Sequence, residues 1–296
     1  MAIEIRSVSG YGELERWVNA RNEVVPDDTD TVALKVLLRA SQEGRVDLIA
    51  YDDGEVVGTG LMVGGPSTVA SSHPYVEVVV PARHRGRGVG TALLREFSDH
   101  VRRLGKDGLQ VEARSDDAYT LGYLRRRGFV EVDRWIQLVL ELDPYEPLDP
   151  PVTHGVELAW LSDRPDLLEA LFAAATATKR DHTGSFHAWQ VYELGDPRTR
   201  LDLTAIALAG DEVIGYTTFV QLAGELTGCH RVLTVLPSWY ERGIGAALTH
   251  AQVAAAKLAG FETLFAWARP WQHHDLYESL GYEPRSVSID FQGPPL

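Results

Sequence analysis

Arg85-Gly86-Arg87-Gly88-Val89-Gly90 is the segment whose residue types and spacing point most directly to chemistry. Alternate glycines leave backbone N–H groups uncovered, and the arginines add positive charge. Ahead of it, the β-branched run from Tyr75 to Val80 predicts a buried strand. Behind it, Val89, Leu93, Leu94, Phe97, Val101 and Leu104 recur at helical spacing up to Gly105. A strand, a glycine turn and a helix start place unpaired N–H groups at the positive end of a helix dipole, which suits anions and phosphates above all. Spacing excludes two such ligands. The glycines fall as G-x-G-x-G with Thr91 where a dinucleotide fingerprint has its last glycine, and no G-x-x-x-x-G-K-[ST] loop occurs. His273 and His274 lack a third ligand in register, so no metal is expected. Cys229, without an activating histidine nearby, reads as a core residue rather than a nucleophile.

The elements that must position the loop follow in order. Residues 3–8 read as a strand, Glu13 to Val24 as a helix with Leu14, Trp17 and Val18 inward, and Val32 to Ala40 as a second helix. Val46 to Tyr51 and Glu55 to Val63 form a hairpin turned by Asp52-Asp53-Gly54. After the loop come a strand at Leu109–Ala113, a short helix to about Arg126, and a last strand at Trp135–Leu142. Residues 143–155 carry four prolines and read as a semi-rigid linker.

Beyond the linker the pattern restarts. Gly58 and Gly215, Gly88 and Gly243, and Gly128 and Gly281 lie 157, 155 and 153 residues apart. Three ordered landmarks at nearly one offset indicate a duplication. The expected organisation is therefore 1–143 as a first domain, 144–155 as a linker and 156–296 as a second domain. A net charge of −14 disfavours nucleic acid and mildly favours a cationic substrate. No apolar run is long enough to cross a membrane, the start lacks the regions of a signal peptide, and one cysteine fits a reducing cytoplasm.

Arg85-x-x-Gly88-x-Gly90 after a strand resembles the coenzyme A pyrophosphate loop of the GCN5-related N-acetyltransferases. Tyr123-Leu-Arg-Arg-Arg-Gly128-Phe129 and Tyr277-Glu-Ser-Leu-Gly281-Tyr282 resemble that family's strand-helix-Gly-aromatic ending. The resemblance covers the core of both halves. It implies an α+β fold, mixed α/β, in two tandem domains, each a twisted, mostly antiparallel sheet flanked by helices and splayed between its fourth and fifth strands. It also implies acetyl-CoA as acyl donor, no metal, and direct attack by the primary amine of a small molecule. Cofactor-binding residues would be Val78, Val79 and Val80 on the fourth strand and Arg85, Gly86, Arg87, Gly88, Val89, Gly90 and Thr91 in the loop.

For the general base the resemblance implies Glu112 on the fifth strand, with Glu77 as second choice. Candidates for the thiolate acid are Tyr277 and Tyr123. The family's tyrosine lies four residues before the Gly-aromatic pair, a place held by Leu124 in the first half, so Tyr123 is one residue early. Asp117 stands where an asparagine is common. In the second half Tyr240 and Glu241 replace the first arginine and glycine of the loop, and Phe265 stands at the place of Glu112. A degenerate second cofactor loop is expected. Two alternatives stay open: a non-catalytic acyl-CoA-binding module, and catalysis in the second half.

Overall fold

A computed structural model describes residues 3–25, 30–42, 44–64, 72–143, 155–178, 185–222, 226–270 and 274–296. Nearly all of the proline-rich segment lies outside these, as do His273 and the side chain of His274. Two compact units are present: Met1–Arg134 with Val287–Leu296, and Trp135–Ser286.

The first unit runs β1 (Glu4–Ser7), α1 (Gly10–Val24), α2 (Val32–Ser41), β2 (Val46–Asp52), β3 (Glu55–Val63), β4 (Tyr75–Val79), α3 (Val89–Arg103), β5 (Leu109–Arg114), α4 (Ala118–Arg125) and the start of β6 (Val130–Glu141). In the second, the rest of β6 is followed by β7 (Glu157–Trp160), α5 (Leu168–Ala177), α6 (Phe186–Leu194), β8 (Ala205–Ala209), β9 (Glu212–Gln221), β10 (Thr227–Val235), α7 (Ile244–Leu258), β11 (Thr263–Ala268), α8 (His274–Ser279) and the first residues of β12 (Glu283–Gly293).

Each sheet is antiparallel except between its fourth and fifth strands. In the first unit β4 pairs β5 in parallel through Tyr75–Gln110 and Val76–Val111 alone, and from Glu77 onward the strands part. In the second, β10 pairs β11 in parallel from Thr227–Thr263 to His230–Ala266, beyond which β10 bulges at Arg231. These are the two splayed sheets expected.

The last strands are distributed differently from the expected boundaries. Ser288–Gly293 of β12 pairs antiparallel with β5 and completes the first unit, while Ile136–Glu141 of β6 pairs with β11 and completes the second. The halves are duplicates, so either closing strand presents the same alternation to either fifth strand. Local periodicity cannot choose between the two pairings.

Alternation divides the first sheet into two faces. Val76, Val78, Val111, Ala113, Ile289 and Phe291 face α3 and pack with Val89, Leu93, Leu94, Phe97 and Val101. The helical stripe read from the sequence is the stripe that is buried. Burying a side chain such as Phe97 contributes on the order of 2–3 kcal/mol. Close approach of α3 requires a glycine in β3: a Cβ on Gly60 would lie 2.7 Å from Phe97 Cε2. On the opposite face Leu14, Trp17 and Val18 of α1 pack on Ile49, Tyr51 and Leu61.

Candidate functional site

The loop begins where β4 ends. After a short turn at Ala82–His84, Gly86 and Gly88 take left-handed φ values of 76° and 87°, and Gly88 is the N-cap of α3 with no side chain capping it. Nothing lies within 4 Å of where a Cβ would sit on either glycine, so the turn faces open space. The first acceptor-satisfied amide of α3 is Ala92, which donates to the Gly88 carbonyl. From Gly86 to Thr91 no backbone N–H has a protein partner among the described residues. A row of free donors at a helix N-terminus fits a phosphate group.

Strand alternation orients the adjoining backbone. Gln110 N–H donates to the Pro74 carbonyl, so Pro74, Val76 and Val78 present their peptide groups toward β5. Past Val76 that side is open, which leaves the Val78 N–H facing the gap. Val79 turns the other way, in register with Thr59 of β3, and its side chain is buried. It is therefore a sheet residue rather than a ligand to the cofactor. The Val80 carbonyl accepts from Arg85 Nε at 3.1 Å, which ties the loop to the end of the strand.

The polar face of the same strands lies opposite α3. Tyr75 and Glu77 on β4, Gln110 and Glu112 on β5, and Asp290 and Gln292 on β12 share it. Glu112 is exposed on this face, directly across from Asp290. Glu77 is bound in two-pronged fashion by Arg21 of α1, at 2.9 and 3.2 Å. Arg21 also pairs with Asp30, and Asp30 with Lys35, in a buried cluster. Glu77 is thus occupied in an ion network and is a poor choice for a proton carrier. Burial, reinforced by the charges of Glu77, Glu112 and Asp290, pushes the Tyr75 phenol well above its ordinary pKa and keeps it a hydroxyl donor.

Helix α4 settles the tyrosine question in the first unit. Leu124 is buried in the core, while Tyr123 turns to the loop side, where its hydroxyl is 3.0 Å from Thr91 Oγ1. Asp117 is the N-cap of α4, its carboxylate accepting from the Thr120 N–H at 3.0 Å, which is a structural task.

The second unit repeats the turn more faithfully than its sequence suggests. Glu241 and Gly243 take left-handed φ of 63° and 75°, matching Gly86 and Gly88. The side chains differ: Arg242 lies over Trp239 at 4.8 Å, and Phe265, at the place of Glu112, is buried. Tyr277 sits in the core against the rings of Tyr282 at 5.2 Å and His230 at 6.1 Å, surroundings that oppose proton exchange with a ligand. His230 is bonded to Gln252 and Tyr282, and complete burial lowers its imidazole to about 4. Cys229 is buried, its thiol 3.2 Å from the His230 carbonyl oxygen. No group of metal-binding side chains occurs among the described residues.

Sequence reasoning missed Tyr75, Arg21 and Asp290. Arg21 looked like an ordinary polar helix position, and Asp290 reaches β5 only through the exchanged strand. For Tyr75 a signal existed: it precedes Glu77 by two, the spacing that puts two side chains on one strand face.

Comparison with known proteins agrees with this geometry. A profile described as "Acetyltransferase (GNAT) family" matches residues 13–129, and one described as "Acetyltransferase (GNAT) domain" matches 201–284. A mycothiol acetyltransferase of Nocardiopsis dassonvillei is 26% identical over 291 residues, covering 83% of this chain and 81% of that protein. Among solved structures, a tandem GNAT protein from the clavulanic acid biosynthesis pathway superposes with a TM-score of 0.77 at 15% identity, covering 100% of this chain and 99% of that one. A GCN5-related N-acetyltransferase from Sphaerobacter thermophilus gives 0.73 at 19% identity, covering 99% and 95%. Two matched domains on two splayed sheets make the chain a tandem member of the GNAT acetyltransferase family.

Proposed function

We propose that the first unit transfers the acetyl group of acetyl-CoA to a primary amine of a small molecule. The observation that carries this reading is the open run of amides from Gly86 to Thr91 beside the unpaired edge of β4, where the Val78 N–H faces the gap. Phosphates of the donor are held by the loop, with Arg85 and Arg87 adding charge. Val78 N–H stabilises the oxyanion that forms when the amine attacks the thioester. Glu112 removes the proton of the attacking ammonium, and the carboxylates of Glu77, Glu112 and Asp290 around the Tyr75 hydroxyl favour a cationic acceptor. A thiol with a pKa near about 8.5 leaves without a dedicated acid. The chain's single, buried cysteine suits a reducing compartment, and a cytoplasmic location is part of this reading.

The test is thiol release from acetyl-CoA over a panel of amines, including the acceptor of the mycothiol acetyltransferase relative. Gly88→Glu, which puts a bulky acid at a left-handed N-cap, removes turnover, whereas Gly243→Glu leaves it. The opposite pattern assigns catalysis to the second unit, a reading favoured by the left-handed turn it retains at Glu241 and Gly243. Binding of acetyl-CoA without thiol release from any amine leaves a binding module.

A further inference from the structure

Arg127 follows α4 and is held from three sides at the first turn of α3. Its Nη1 donates to the Tyr123 carbonyl at 3.2 Å and its Nη2 to Thr91 Oγ1 at 3.1 Å. The guanidinium carbon lies over the Tyr123 ring, 3.6 Å from the centroid, and the Tyr123 hydroxyl meets the same Thr91 oxygen. Some other arginines of this unit face acids, as Arg114 does Asp116 and Arg102 does Asp99. Among the described residues Arg127 has no carboxylate partner. A fixed cation at the positive end of a helix, beside amides that lack acceptors, is electrostatically misplaced unless an anion joins them. Two of the five guanidinium N–H donors are used in the bonds described, which leaves the fork able to grip a phosphate.

The second unit lacks the whole set. At the places of Thr91, Tyr123 and Arg127 it has Ala246, Leu276 and Leu280, and Leu280 packs on its core. The three polar residues therefore belong to the function of one unit and not to the shared fold.

We propose that Arg127 is a phosphate-binding residue of the donor site, with Tyr123 and Thr91 as positioning residues that aim its guanidinium across the start of α3. This rests on the reading of the first loop as the acetyl-CoA site. It moves Tyr123 from proton donor to support for a binding group.

Titration calorimetry of the full chain with CoA and with dephospho-CoA tests it. Losing a charge-assisted contact predicts that Arg127→Gln weakens CoA roughly 10- to 100-fold. Arg127→Lys recovers part of the loss, and log Kd becomes less dependent on log salt in the Gln variant. Arg125→Gln, on the exposed face of the same helix, changes neither. An equal loss with both ligands identifies the pyrophosphate as the contact, and a loss with CoA alone identifies the 3′-phosphate. If Arg127→Gln binds both as tightly as the parent while Gly88→Glu abolishes binding, the proposal is overturned and the loop reading stands. If Gly88→Glu also binds normally, the loop reading itself fails.

Discussion

Acidification should weaken the second unit through one buried histidine. His230 is hydrogen-bonded by Gln252 and Tyr282, and burial holds its imidazole at about 4 rather than 6.5. The folded state therefore binds fewer protons than the unfolded state between these values. Stability is unaffected above pH 6.5 and is lost as pH falls toward 4. With these two pKa values the loss between pH 7.5 and pH 5 is about 2 kcal/mol, in a range where most carboxylates remain ionised. The assay is urea unfolding of the parent and of His230→Gln at both pH values. His230→Gln is less stable at pH 7.5 because it loses shape and a bond, but its stability changes little on going to pH 5. The quantity that matters is the difference between the two pH dependences. If parent and variant lose equal stability over this interval, His230 is not a buried neutral imidazole and the account of this core is wrong.

Three further outcomes follow from the first unit. Arg21→Met strands Glu77 and Asp30 next to a burial-strained Lys35; breaking such a cluster should cost about 3–5 kcal/mol in chemical denaturation. Gly60→Ala pushes a methyl against Phe97 and should destabilise by about 1–3 kcal/mol without altering CoA affinity, as read by melting and calorimetry together. Glu112→Gln should lower kcat by about 10²-fold and leave KM for acetyl-CoA unchanged, and Tyr277→Phe should change neither; a full-rate Glu112→Gln enzyme would remove Glu112 as base.

The sequence by itself determined the local chemistry of this protein. The run Tyr75–Val80, the glycines at 86, 88 and 90 and the stripe from Val89 to Leu104 specified a strand, an anion-binding turn and a buried helix. Each depends on neighbours within a few residues. The duplication was legible because two copies of one local pattern lie at a nearly constant offset. Tertiary structure decided what no local pattern encodes. It chose which sheet each closing strand joins, and so placed Asp290 opposite Glu112. It also tied Glu77 to Arg21, 56 residues away in the chain, and left Glu112 exposed on the same face. The helical phase that buries Leu124 carried Tyr123 and Arg127 to Thr91, more than 30 residues back along the chain. Side-chain partners set over such separations depend on packing, and packing exists only once the sheet has closed.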